Sequence, residues 1–235
     1  MVAGLHDPLI VNHGGREQLV SVGAHHAAAY EPGTGKEIWR VSYRDGFSNV
    51  PRPVYGHGLV YLTTGFQQPS LLAVRPDGTV DVTRTQVAWS TNRPVPLTPS
   101  PLLVGDELYL VTDTGILSCV EATTGAVIWQ QRLQGTFSAS PVFADGRIYL
   151  HAEDGATIVI APGRTFQLLA VNQLPGATLA SMAVAGDHCS SAPPSICSEW
   201  RKPENDLGFD DVSAPAGPRW GRRVMRGEPA GARQR

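Results

Sequence analysis

A self-similar segment recurs along this chain, and that recurrence constrains the fold more tightly than any local feature. Residues 53–65 read PVYGHGLVYLTTG, residues 101–115 read PLLVGDELYLVTDTG and residues 141–155 read PVFADGRIYLHAEDG. Each opens on a proline and a short apolar pair, passes a Gly/Asp turn and enters an apolar run centred on tyrosine. Tyr61, Tyr109 and Tyr149 stand 48 and 40 residues apart. Residues 9–23 (LIVNHGGREQLVSVG) form a weaker earlier copy, and residues 181–188 (SMAVAGDH) a truncated later one.

Each copy has the chemistry of a hairpin. Val54, Leu102–Val104 and Val142–Phe143 are short apolar strand segments. Asp106, or Asp145-Gly146, supplies the turn, because aspartate and glycine tolerate positive φ. The returning strand, such as Leu108-Tyr109-Leu110-Val111, carries the β-branched and aromatic residues that fit a pleated sheet. A second turn follows at Asp113-Thr114-Gly115 or Glu153-Asp154-Gly155.

Beyond that turn comes a sharper signature. Residues 29–39 read AYEPGTGKEIW and residues 119–129 read CVEATTGAVIW, so Glu31, Thr34, Gly35 and Trp39 match Glu121, Thr124, Gly125 and Trp129. Their offset of 90 residues is about two repeats. Residues 71–89 are a longer variant ending in Trp89, and residues 158–169 a variant without tryptophan. The Thr-Gly pair makes a tight turn between third and fourth strands, and the tryptophan offers a flat surface to stack on the next unit. One four-stranded sheet cannot bury both its faces, but a succession of them can.

The pattern of Ala29, Glu31, Thr34, Gly35 and Trp39, with its second copy at Glu121 to Trp129, resembles the tryptophan-docking motif of quinoprotein-type β-propellers. The same repeats occur in the outer-membrane-assembly lipoprotein of Gram-negative bacteria and in PQQ-like repeat proteins generally. The resemblance covers roughly residues 8–188. It implies an all-β fold, a partial propeller of four to five four-stranded antiparallel blades over residues 1–188, followed by an irregular tail over 189–235. The family's dehydrogenases carry adjacent cysteines beside the quinone and acidic and amide ligands for calcium. This chain has no adjacent cysteine pair, and Asp77, Asp113 and Asp154 sit at turns, where a side chain caps its own backbone. The expectation is therefore no cofactor and no metal.

Composition agrees with a turn-rich fold: glycine (25) and proline (19) are abundant, with 42% hydrophobic and 17% charged residues. A net charge of −2 gives no global field for nucleic acid or anionic lipid. The tail's Arg219, Arg222, Arg223, Arg226, Arg233 and Arg235 read as a solvated basic end. Cys119 reads as a core thiol, while Cys189 and Cys197 lack any matching ligand set. His6, Asp7, His13, Arg16 and Glu17 interrupt any apolar leader, and no apolar run reaches the length of a membrane span. As written, the chain reads as cytoplasmic; if the N-terminus is truncated, the same repeats read as periplasmic or secreted.

From Cys189 the repeat stops. By analogy with RIYLHAEDG, an apolar strand should follow Gly186-Asp187, yet the chain continues CSSAPPSICSEW. A slip of the reading frame near His188 and a genuine disordered extension both account for the break.

No constellation for catalysis emerges. His25 and His26 are adjacent, so in a strand their rings point to opposite faces and cannot readily share a metal. His57 and His151 have no carboxylate at a fixed spacing. Ser21, Ser138, Ser140 and Ser181 lack a base, and there is no G-x-S-x-G, P-loop or H-E-x-x-H. The spacing of Trp39, Trp89 and Trp129 follows the repeat, as packing requires. The sequence thus points to a non-catalytic propeller module that binds a protein or peptide, a piece of a longer ring or one completed by self-association. The alternative is a fragment of a quinone- and calcium-dependent dehydrogenase.

Overall fold

In the computed structural model, residues 7–44, 49–65, 68–174 and 176–185 are described, with the backbone of three further strands at 188–191, 198–201 and 221–224. The described chain is all strand and turn, arranged as five sheets.

The first sheet comprises β1 (Leu9–His13), β2 (Arg16–Val22), β3 (His26–Tyr30) and β4 (Glu37–Ser42). The second repeat supplies β5 (Val54–Gly56), β6 (Leu59–Thr64), β7 (Ser70–Val74), β8 (Val80–Asp81) and β9 (Val87–Thr91). The third is β10 (Leu102–Val104), β11 (Glu107–Val111), β12 (Ile116–Glu121) and β13 (Val127–Arg132). The fourth is β14 (Val142–Ala144), β15 (Arg147–His151), β16 (Ala156–Ala161) and β17 (Gln167–Gln173). Each is an antiparallel meander, and the short first strands β5, β10 and β14 lie side by side, as the innermost strands of propeller blades do.

One strand leaves its repeat. In the long variant at residues 71–89, β8 crosses to the first sheet and pairs parallel with β4, setting Val80 beside Trp39 and Asp81 beside Arg40. The second sheet is thereby completed by β5, β6, β7 and β9.

The first-to-second-strand hairpins turn as their residues dictate. Asp145 and Gly146 have φ of +46° and +69°, the two left-handed positions of a type I′ turn. Between third and fourth strands, all four blades carry a register shift at the same place: Ala29/Tyr30, Ala73/Val74, Cys119/Val120 and Val159/Ile160. The extra residue on the outer strand (Ile38, Ala88, Ile128 or Leu169) immediately precedes the tryptophan position. Such a bulge bends the strand and re-aims the side chain that follows.

The core lies between sheets. Val11, Val20, Ala29 and Trp39 meet Val60, Leu62 and Val74 across the first junction. Tyr61, Leu71 and Ala73 meet Leu108, Leu110 and Val120 across the second. Tyr109, Leu117 and Cys119 meet Ile148, Leu150, Ile158 and Ile160 across the third. Tyr149 and Val159 meet Met182 at the fourth.

Within the segment from residue 189, expected to be irregular, the described residues are short stretches of strand backbone. β18 (Ala183–Ala185) is followed by β19 (His188–Ser191), β20 (Ser198–Arg201) and β21 (Gly221–Val224), which pair in order as a fifth four-stranded sheet. Backbone pairing needs no apolar alternation, which is why the sequence pattern gives no signal for these strands. The frame slip near His188 and the basic residues Arg219, Arg226, Arg233 and Arg235 fall on or beside residues 186–187, 192–197, 202–220 and 225–235, outside the described residues.

Candidate functional site

Three strands of each sheet place one residue apiece in a cross-strand row. The rows are Val20–Ala29–Trp39, Tyr61–Ala73–Trp89, Tyr109–Cys119–Trp129 and Tyr149–Val159–Ala170. A small side chain stands opposite each indole, and where the fourth sheet lacks tryptophan, valine replaces the small residue. Tyr61 and Trp89, like Tyr109 and Trp129, have ring centroids 6.0 Å apart.

Each indole donates its Nε1–H toward the following blade. Trp89 donates to the Ala122 carbonyl at 3.0 Å, and Trp129 to the Gly163 carbonyl at 3.0 Å. Trp39 reaches across indirectly. It donates to Gln18 Oε1 at 2.7 Å, and Gln18 Nε2 donates to the Pro76 carbonyl at 2.9 Å. Gln18 is almost fully buried, and both halves of its amide are used.

The two Thr-Gly turns share a backbone. The amides of Gly35 and Gly125 donate to Glu31 and Glu121 carbonyls, both at 2.8 Å, with φ of +70° and +73°. Their carboxylates differ. Glu31 accepts from Thr34 Oγ1 at 2.6 Å within its own turn, whereas Glu121 accepts from Arg164 of the next blade at 2.6 Å. Arg164 also lies 3.7 Å from Glu107, so it clamps two carboxylates of the third sheet to the fourth. Ala29 is buried in its sheet; Trp89, Trp129, Glu121 and Gly125 make contacts between blades, while Glu31, Thr34 and Gly35 bond within their own turn.

Burial governs the titratable groups in these rows. Desolvation pushes the phenol of Tyr61 up to about 12, and that of Tyr109 likewise to about 12, against the Gly163 N–H that donates to it. The Cys119 thiol is pushed up to about 11, again mainly by burial, and is a protonated core group at neutral pH. Among the described residues Tyr61 Oη has no hydrogen-bond partner. Its counterpart Tyr109 has one because the Gly163 amide points at it, while the Ala122 amide is taken by Asp106.

A second inter-blade series escapes sequence reading. The Arg52 amide donates to Ser100 Oγ at 2.9 Å, the Ser100 amide to Ser140 Oγ at 3.0 Å, and the Ser140 amide to Ser181 Oγ at 2.9 Å. Ser140 and Ser181 are thus latches between repeats. The signal was present: Ser100 and Ser140 immediately precede the first residue of their copies and Ser181 opens its own, at spacings of 40 and 41.

The remaining candidates stay apart. His25 adopts φ of +66°, His57 Nε2 contacts the Gly105 carbonyl at 3.0 Å, and His151 Nδ1 contacts Thr157 Oγ1 at 2.7 Å. Ser138 and Thr136 hydroxyls are spent on Glu153. Asp113 accepts from the Leu97 amide at 2.8 Å, and Asp154 from the Ala156 amide at 3.0 Å. Among the described residues no group of three His, Cys, Asp or Glu side chains is placed to hold a metal, and no helix is long and apolar enough to cross a membrane.

A groove of about 380 Å³ runs between the outer strands β13 and β17. Leu133, Ile158, Phe166, Leu168 and Val171 line it, with Arg132 and Asp154 at its margin. Leu168 and Val171 are 51% and 59% exposed.

Comparison with known proteins places this architecture. An outer membrane protein assembly factor BamB from Legionella pneumophila (strain Paris) is 26% identical over 170 residues, covering 67% of this chain and 41% of that protein. A BamB from Moranella endobia (strain PCIT) is 30% identical over 67 residues, covering 28% of this chain and 17% of that protein. The chain therefore spans less than half the length of either relative. The crystal structure of BamB from Moraxella catarrhalis superimposes with a TM-score of 0.62 at 14% identity, covering 85% of this chain and 61% of that one. The Cps50 (Swd1) β-propeller domain of Myceliophteria thermophila gives 0.60 at 14% identity, covering 91% and 71%. Both likenesses establish the β-propeller fold. The family profile described as outer membrane protein assembly factor BamB matches residues 23–187, from the first Thr-Gly blade to the start of the fifth sheet, and the chain belongs to that family.

Proposed function

We propose that this chain is a non-catalytic, protein-binding propeller module that serves outer-membrane-protein assembly in the periplasm. The observation that carries this reading is the apolar groove between β13 and β17, where Leu168 and Val171 stand exposed beside Phe166 and Ile158. Apolar side chains exposed together on strand edges mark protein contacts, and an extended segment can lie along such a groove. That the BamB relatives are outer membrane protein assembly factors supports assembly as the process. The non-catalytic reading is supported by the indole N–H groups of Trp89 and Trp129 and the Glu121 carboxylate, which are engaged in joining blades.

The test is retention of solubilised outer-membrane-assembly components from a Gram-negative envelope on the immobilised chain, identified by mass spectrometry. Wild type should retain them, and the double substitution Leu168→Glu with Val171→Glu should reduce retention about tenfold, as loss of roughly 1.4 kcal/mol would. Its unfolding midpoint should stay near wild type, because both side chains are exposed. No retention by wild type overturns the reading.

A further inference from the structure

The second repeat builds the turn between its third and outer strands differently from the first and third. There the turn is closed by the Glu31 amide on the Lys36 carbonyl and by the Glu121 amide on the Ala126 carbonyl, both at 2.8 Å. The matching bond in the second repeat runs from the Arg75 amide to the Gln86 carbonyl at 2.9 Å. Residues 76–85 therefore stand where the other repeats have 32–35 and 122–125, and they cross onto the first sheet as a strap. The Arg75–Gln86 bond closes the strap at its base, so the ladder of β7 and β9 is complete without it.

The strap is anchored along the outer edge of β4. Val82 is fully buried in the cluster that holds Trp39 and Val41, and its amide donates to the Arg40 carbonyl at 2.8 Å. Thr83 Oγ1 accepts from the Ser42 amide at 2.8 Å. A Cβ on Gly78 would come within 2.5 Å of the Val82 side chain, so the strap folds back only over a glycine. Between these anchors Val80 is 74% exposed and takes a φ of +64°, which a β-branched side chain adopts only under constraint. Such strain persists where the surroundings impose it, and here the anchors on either side do so. The cost is spent on a short contact: β8 pairs with Trp39 and Arg40 alone, although β4 runs from Glu37 to Ser42.

We infer that the outer edge of β4 is a strand-addition site for an extended peptide segment of a partner protein, and that the strap is its displaceable internal occupant. An extended segment adds to a sheet edge through main-chain bonds, and side-chain pockets beside the edge give selectivity. The pocket here is the seat of Val82, which selects a segment with a β-branched apolar residue at that place. A segment not tethered to β7 and β9 makes the same bonds with ordinary strand angles and continues along the whole of β4. It needs no left-handed valine, and that difference favours it over the strap. The site is separate from the groove between β13 and β17.

The experiment is a titration of the ¹⁵N-labelled full chain with the acetylated, amidated peptide TVDVTRT, the sequence of residues 79–85. The same peptide with aspartate in place of its second valine runs alongside. Saturable shifts are expected at the Ser42 and Val82 amides as the peptide takes the strap's place, and none with the aspartate peptide. Val80→Asn relieves the strain, since asparagine tolerates this φ, and should weaken peptide binding about tenfold by tightening the strap. Native-state hydrogen exchange without peptide gives a second readout. The Val82 and Ser42 amides should exchange at least about tenfold faster than those of β3, and slow about tenfold in Val80→Asn. Absent or unsaturable shifts, equal binding of the aspartate peptide, binding unchanged in Val80→Asn, or exchange of Val82 and Ser42 at the rate of β3 overturns the inference. None of these outcomes involves an assembly component, so this inference and the proposed function fail separately.

Discussion

Trp39 and Trp129 occupy equivalent positions but are held by different chemistry, and substitution should separate them. Trp39 is fully buried and its N–H reaches the second blade only through the buried Gln18 amide. Trp39→Phe strands the Gln18 carbonyl away from water and should cost about 1–3 kcal/mol. Trp129 is only partly buried, and its acceptor also lies near Tyr109 Oη, so Trp129→Phe should cost less, under about 1 kcal/mol. Trp39→Ala adds a cavity and should cost about 3–5 kcal/mol. Urea unfolding of the three variants checks the order. The tryptophans, the Thr-Gly turns and their carboxylates were all legible in the sequence, because residues within one turn fix one another. Gln18 and Arg164 were not, because their partners belong to the neighbouring repeat.

At the scale of elements, each blade is stitched to the next at two places: the indole near the outer strand and the serine hydroxyl beside the first strand. The serine series ties backbone to side chain, so the register of one blade's first strand sets that of the next. Ser140 is the midpoint, accepting from the Ser100 amide and donating its own amide to Ser181. Ser140→Ala leaves the Ser100 amide, which is part-buried, without its acceptor, and a loss of about 1 kcal/mol is expected. Native-state hydrogen exchange gives the sharper readout, with the Ser100 amide exchanging faster while the Ser140 amide keeps its protection. Unchanged protection at Ser100 would show that the latch carries no weight. The repeated bulge before each tryptophan position belongs to this scale too. It could not be read from spacing, since the longer loop of the second repeat hides the common register.

The junctions are unequal across the whole molecule. The first three bury continuous apolar clusters, while the fourth, among the described residues, rests on Tyr149, Val159 and Met182 and has alanine at the tryptophan position. On β15, two residues beyond Tyr149, His151 is buried against Thr157. Burial depresses its pKa below 6.5, with Asp154 opposing the shift. The folded state therefore favours the neutral ring. Its contribution to stability is complete above the unfolded-state pKa of about 6.5 and is lost as pH falls through that value toward the folded one. The unfolding midpoint should decline between about pH 7.5 and 5.5, and His151→Asn should flatten that decline. An equal decline in the variant assigns the effect elsewhere.

By itself, the sequence determined the unit: the strand-and-turn cycle, its period, the turns that need glycine, and the place of the tryptophan in each repeat. These follow from short-range chemistry, because side-chain alternation and positive φ act within a few residues. Only the tertiary structure decided which carbonyl each indole meets, that β8 joins the first sheet, that three strands without apolar alternation form a fifth, and that Gly125 is covered by the Trp89 indole. Those outcomes depend on how one sheet is rotated and set against the next, and no residue's own neighbours in the chain contain that information.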